Sequence, residues 1–167
     1  GFGSFSFTLP SLTIEKIDIR QTLEKADLPK VSESLVNKTL PSFNLEKTSG
    51  GTLNSVQLSG KPTLVSFVST WSPSSQEQFQ VLEKLQKNGD LNIAVVAVFE
   101  SGAKLNSFKA ISKLKLDFLS DPDGTTVNSF GYQSLPAHYF TNRKGDIKKI
   151  VSGVLSEKEI LDNLGGL

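Results

Sequence analysis

Apolar and polar residues follow two different periods along this chain, and the switches between them mark its elements. Thr63-Leu64-Val65-Ser66-Phe67-Val68 is β-branched, aromatic and almost continuously apolar, which predicts a strand buried on both faces. Ile93 to Phe99 reads the same way. Between them, Gln76 to Lys87 sets Phe79, Leu82 and Leu85 at helical spacing and stops at Asn88-Gly89, and Leu105 to Leu114 repeats that spacing with Leu105, Phe108, Ile111 and Leu114. Strand, helix, strand, helix implies parallel strands joined by right-handed crossovers, with helices covering the sheet.

The flanking segments are antiparallel in character. Leu40 to Leu45 and Ser55 to Leu58 read as two short strands joined through the glycine-bearing turn Lys47 to Gly51. Asp121-Pro122-Asp123-Gly124 is a turn; it lacks the later ligands of a calcium loop. Ala137 to Phe140 and Ile147 to Val151 form a hairpin across Thr141 to Asp146, and Ser156-Glu157-Lys158-Glu159 is a capping box that opens a last helix to Leu164. The first 39 residues differ from the rest: Phe5 to Leu9 alternates like a strand until Pro10, Leu12-Thr13-Ile14 and Ile17-Asp18-Ile19 are short apolar pieces, and Arg20 to Ala26 holds helix formers. Residues 1–39 therefore read as an N-terminal extension and 40–167 as the main domain.

Composition narrows the function classes. A chain of 167 residues suits one domain with an extension, and 37% hydrophobic content without an apolar run of about 20 residues gives no membrane span. Eighteen basic against seventeen acidic residues leave +1, with no stripe that would attract nucleic acid. With no Cys and one His, metal sites built on those ligands are excluded, and neither metal nor cofactor is expected. The absence of Met leaves two readings of the first residue, a start inside a longer precursor or a cloning boundary. A Ser-His nucleophile would have to use His138, yet no carboxylate is placed in sequence to orient its ring, and Ser101 to Lys104 matches Ser-x-x-Lys without that motif's companions.

Val65 to Ser75, ending in Trp71-Ser72-Pro73-Ser74-Ser75, resembles the strand-to-helix junction of extracytoplasmic thioredoxin-like proteins of the TlpA and ResA type, where the family carries Trp-Cys-x-x-Cys. A second block agrees: Asp121 to Gly124, Phe130-Gly131-Tyr132, Leu135-Pro136-Ala137-His138-Tyr139-Phe140 and Arg143-Lys144-Gly145 look like the family's stretch around its cis-proline. The likeness spans roughly residues 40 to 164. It implies an α/β thioredoxin fold, a central mixed sheet flanked by helices with an N-terminal hairpin and extension.

The resemblance also implies roles. Ser72 and Ser75 stand at the nucleophilic and resolving cysteine positions, Trp71, Pro73, Leu135 and Pro136 border the place where an extended substrate would lie, and Pro136 is the cis-proline. Gln78 replaces a Glu that in many relatives assists proton transfer. Serine is far less acidic than cysteine and cannot enter a mixed disulfide, so the chain as it stands cannot perform thiol exchange. It reads as a thiol-disulfide oxidoreductase in a Cys-to-Ser form of a Trp-Cys-Pro-Ser-Cys motif; the alternative is a naturally redox-inactive module that binds proteins or peptides. Expected partners are protein or peptide disulfide substrates and a redox partner protein. The expected setting is extracytoplasmic, with a possible membrane tether outside this stretch, for a monomer. A peroxiredoxin-like peroxidase is disfavoured, because the thiol and the Pro-x-x-x-Thr-x-x-Cys layout are both missing.

Overall fold

The computed structural model describes residues 34–131 and 134–167; the strands and helix expected before residue 34, and Tyr132, lie outside the described residues. Seven strands form one mixed sheet in the order β2-β1-β5-β4-β3-β6-β7. They are β1 Asn44–Lys47, β2 Thr52–Asn54, β3 Thr63–Val68, β4 Asn92–Val98, β5 Phe118–Asp121, β6 Ala137–Thr141 and β7 Ile147–Ser152. The helices are α1 Pro73–Gln86, α2 Gly102–Ser112, the short α3 Thr125–Ser129 and α4 Glu157–Leu164. Strands β3, β4 and β5 run parallel at the centre, while β1, β2, β6 and β7 join antiparallel at the flanks. This is the mixed sheet flanked by helices that the sequence predicted, with β1 and β2 as its N-terminal hairpin.

Alternation along the central strands divides the core. Leu64 and Val68 of β3, with Val95 and Ala97 of β4, point to a cluster that takes in Phe79, Leu82 and Leu85 of α1, Leu105 of α2, and Ile160 and Leu164 of α4. Val65, Phe67, Val96 and Val98 point the other way, onto Leu40, Phe43, Leu58, Val127, Phe130 and Tyr139. One face is thus roofed by long helices and the other by loops, the short α3 and an aromatic cluster in which Phe67, Phe130 and Tyr139 meet edge to face at 4.9 to 5.6 Å.

Three expectations are corrected. Ser55–Leu58 is a 3₁₀ helix, and the second strand of the hairpin is Thr52–Asn54. The reason is a local cap: Asn54 Oδ1 accepts from Val56 N at 3.1 Å and Gln57 Oε1 accepts from Asn54 N at 2.8 Å, so the chain turns where an apolar pair suggested a strand. Phe99 is not in β4, because its φ is 59°. The turn after β5 leads into an unforeseen helix, α3, because the Asp121 carboxylate accepts from Thr126 N at 3.1 Å and Val127 N at 2.9 Å and thereby caps it. The last helix is as expected: Ser156 Oγ accepts from Glu159 N at 3.1 Å and Glu159 Oε1 from Ser156 N at 3.0 Å. Of the stretch read as the extension, Asn37 donates its N–H to Ile147 O at 2.7 Å and Thr39 bridges Asp146.

Candidate functional site

The site expected from the sequence lies where β3 ends and α1 begins. Pro73 occupies the first turn of α1, where its fixed φ suits a helix start and its missing N–H is no loss. Ser72 is the N-cap residue, half-buried, and its side chain makes no capping bond. Ser75, one turn in, is fully buried, and its Oγ accepts from Ser69 N at 3.1 Å. The two serines therefore differ: one hydroxyl faces the rim, the other sits beneath it. Trp71 is 62% exposed on the same rim.

Register carries the second block to this place. Ala137 pairs with Phe67, so Pro136 lies at the same end of the sheet as the β3–α1 junction, and the Leu135–Pro136 peptide bond is cis. Pro136 O accepts from Gly153 N at 2.8 Å. The segment after β7 is tied to α1 as well, because the buried Gln78 side chain both donates to Leu155 O and accepts from Leu155 N, each at 2.8 Å. Gln78 is therefore a clamp that holds the 153–155 segment against the helix. Ser72, Ser75, Trp71, Pro73, Leu135 and Pro136 are brought to one end of the sheet by these connections.

Sequence reasoning missed a buried clasp behind the rim. Glu100, fully buried after β4, accepts from Thr70 N at 2.9 Å and from the Thr70 hydroxyl, while Gln76 Nε2 donates to Thr70 O. Every polar atom of Thr70 is engaged, so the residue before Trp71 is fixed from both sides. The available signal was a lone acid directly after an apolar strand, which spacing alone does not distinguish from a solvated loop residue. Ser69 Oγ is the buried side-chain polar atom that lacks a partner among the described residues.

His138 lies elsewhere in the chemistry. It pairs across the sheet with Ser66, whose Oγ is 2.7 Å from Nδ1, and its Nε2 is 3.0 Å from Gly153 O. A carbonyl only accepts, so Nε2 carries the proton and Nδ1 accepts from the Ser66 hydroxyl. Burial pushes the histidine pKa down to about 4, opposed in part by the Gly153 bond, so the ring is neutral at pH 7. A serine–histidine hydrogen bond exists, but both residues are wholly buried and no substrate reaches them. Among the described residues no group of His, Asp and Glu could hold a metal ion.

This arrangement can be set beside known proteins. A model of the AhpC/TSA family matches residues 36–150. The chain belongs to the AhpC/TSA family. Its relatives include the thioredoxin-like protein YneN of Bacillus subtilis, 31% identical over 129 residues that cover 74% of this chain and 75% of YneN. The thiol-disulfide oxidoreductase ResA of the same organism is 26% identical over 125 residues, covering 73% of this chain and 70% of ResA. Among solved structures, the exposed lipoprotein thioredoxin of Streptococcus pneumoniae superposes with a TM-score of 0.69 at 22% identity, covering 76% of this chain and all of that one. This AhpC/TSA chain is of the thioredoxin-like ResA and DsbE type and has the thioredoxin fold, as the sequence resemblance implied. It falls in the thioredoxin superfamily of thiol-disulfide oxidoreductases and carries no cysteine.

Proposed function

We propose that this chain is a thiol-disulfide oxidoreductase in a Cys-to-Ser form, with Ser72 and Ser75 at the nucleophilic and resolving positions, which retains the substrate groove and has lost the exchange. The observation that carries this reading is the unequal pair at the start of α1: a half-buried Ser72 without a cap bond and, one turn later, a buried Ser75 bonded to Ser69 N. A thiol at the first position would meet the partial positive charge and free N–H groups of a 14-residue helix, which stabilise a thiolate and lower its pKa. A thiol at the second would be shielded until the first had formed a mixed disulfide, and would then attack it and release the reduced partner. A hydroxyl does neither. What remains is binding: Trp71 and Pro73 on one side, with Leu135 and Pro136 on the other, offer a border along which an extended protein segment lies.

The setting that fits this reading is extracytoplasmic, at or near a membrane, as a monomer acting on protein or peptide disulfides. No helix among the described residues is long and apolar enough to cross a membrane. The decisive experiment is the double variant Ser72→Cys/Ser75→Cys, assayed for reduction of insulin disulfides with dithiothreitol as electron source. Turnover above that of the unaltered chain is expected. If the double variant folds and stays at background, the oxidoreductase reading fails.

A further inference from the structure

Two exposed aromatic side chains stand at the carboxyl ends of adjacent parallel strands. Trp71 follows β3, and Phe99, 55% exposed, follows β4. The residues next to them are the clasp already described, Thr70 and Glu100, so the two rings leave the same sheet end on either side of one hydrogen-bonded pair. Phe99 is an unexpected residue at its position. Its neighbours Val98 and Glu100 are buried, yet its φ of 59° lies in the left-handed region that glycine or asparagine adopts at much lower cost. Such outliers persist where the surroundings enforce them, and they collect at binding sites.

The surroundings here are shaped to the ring. Phe99 N donates to Asp121 O at 2.8 Å, and the ring lies so close over Gly124 that a Cβ there would come within 2.2 Å of Cε1 and 2.4 Å of Cζ. Gly124 is thus required twice, by its own φ of 76° and by the ring upon it. On either side of Gly124, Asp123 and Thr125 line a cleft of about 480 Å³ between β1 and the end of β5, which also contains Phe43, Leu45 and Glu46 and no lysine or arginine. Asp121 in its wall is occupied by the amides of α3, whereas Asp123 is exposed and its carboxyl is held below the usual range by the Thr125 amide and hydroxyl. The Phe99 ring thus packs on the residue between Asp123 and Thr125, both of which line a cleft whose exposed carboxylates are Glu46 and Asp123.

We infer that Phe99 is a specificity-determining residue: an extended client segment running past Trp71 sets an apolar or aromatic side chain on Phe99 and a lysine or arginine in the acidic cleft beside Gly124. This rests on the reading that the chain retains its substrate groove, and it adds the chemistry of what the groove takes. Charge complementarity selects the cationic end, and the exposed ring selects its apolar neighbour.

The probes are two fluorescein-labelled peptides without cysteine, Gly-Lys-Lys-Leu-Phe-Leu-Lys-Lys-Gly and its counterpart with Glu at every Lys, titrated into the unaltered chain by anisotropy. Trp71 is the only tryptophan, so its emission reports contact independently. The basic peptide is expected to bind about tenfold tighter than the acidic one and to shift Trp71 emission. Phe99→Gly and Phe99→Asn, both at ease with a positive φ, are expected to weaken the basic peptide about tenfold while leaving the thermal midpoint in place. Asp123→Lys should narrow the gap between the two peptides. Equal binding of both peptides, or unchanged binding in the folded Phe99 variants, overturns the inference. Insulin turnover by the restored dithiol without peptide discrimination would sink the role of Phe99 alone; discrimination with an inert dithiol would sink the oxidoreductase reading and leave the docking surface standing.

Discussion

Among the described residues two places set a serine where it could take part in chemistry, and each has what the other lacks. Ser66 and His138 are joined at 2.7 Å with the imidazole in the accepting tautomer, which is the geometry of an activated nucleophile. Both are sealed inside the sheet. Ser72 stands at an open rim beside an exposed tryptophan and a helix N-terminus, but no base reaches it among the described hydrogen bonds, and its hydroxyl is a poor nucleophile without one. Hydrogen-bond geometry alone would choose the first site, and access alone the second. The lesson is that pairing inside a sheet is a stability device unless a path to solvent comes with it.

The largest effect should come from breaking the sealed pair. Replacing His138 by Ala removes a fully buried ring and strands both the Ser66 hydroxyl and the Gly153 carbonyl, so a loss of about 4 kcal/mol is expected in urea unfolding. The rim variants Ser72→Ala and Trp71→Ala should cost far less. A His138→Ala variant as stable as the parent would mean that the pair is not structural.

Acid should act on the same pair without mutation. The folded pKa of His138 is depressed to about 4, whereas the unfolded histidine titrates near 6.5. Between those values the unfolded chain binds a proton that the native chain refuses, so this contribution is complete above about pH 6.5 and is lost as pH falls toward 4. The gap of about 2.5 units corresponds to about 3 kcal/mol. His138 is the only histidine, so the difference between the parent and His138→Gln across pH 4 to 7 isolates it from the carboxylates. Equal pH slopes in the two chains would remove the buried neutral histidine from the account.

Much of this was legible in the chain. The continuous apolar runs of β3 and β4 and the capping box of α4 located those elements closely, because burial on both faces and reciprocal side-chain caps are local signals. Ser55–Leu58 misled because Asn54 and Gln57 cap a turn through their side chains, a signal weaker than two apolar residues at strand spacing. At the site, the rim residues followed from resemblance, whereas Glu100, the Gln78 clamp and the Ser66–His138 pair did not. Each joins residues 30 to 77 positions apart that only the tertiary fold brings together: sheet register for Ser66 and His138, packing of loops and helix for the other two.

The Gln78 clamp separates the rim from the interior in another way. Gln78→Ala leaves both the N–H and the C=O of Leu155 without their partner, for an expected loss of about 2 kcal/mol. Hydrogen exchange should show the loss as faster opening of residues 153–155 ahead of global unfolding. Gln78→Glu can still accept from Leu155 N but cannot donate to Leu155 O when ionised, so it should fall between the two. A uniform change in exchange over the whole sheet would show that the clamp is not local.

The smallest effects lie within the serine pair itself, and they test its asymmetry. An N-cap serine replaced by alanine ordinarily costs about 1 kcal/mol, the value expected of Ser156→Ala, where the cap bond is made. Ser72 is also an N-cap residue, yet its side chain makes no such bond, so Ser72→Ala should change stability by less than about 0.5 kcal/mol. Ser75→Ala removes the acceptor of the buried Ser69 N–H and should cost about 1 to 2 kcal/mol. The order Ser75 above Ser156 above Ser72, measured by urea unfolding, is what a buried resolving position beside an uncommitted nucleophilic position requires. If Ser72→Ala costs as much as Ser156→Ala, then Ser72 is an ordinary helix cap and the asymmetry that carries the functional reading is lost.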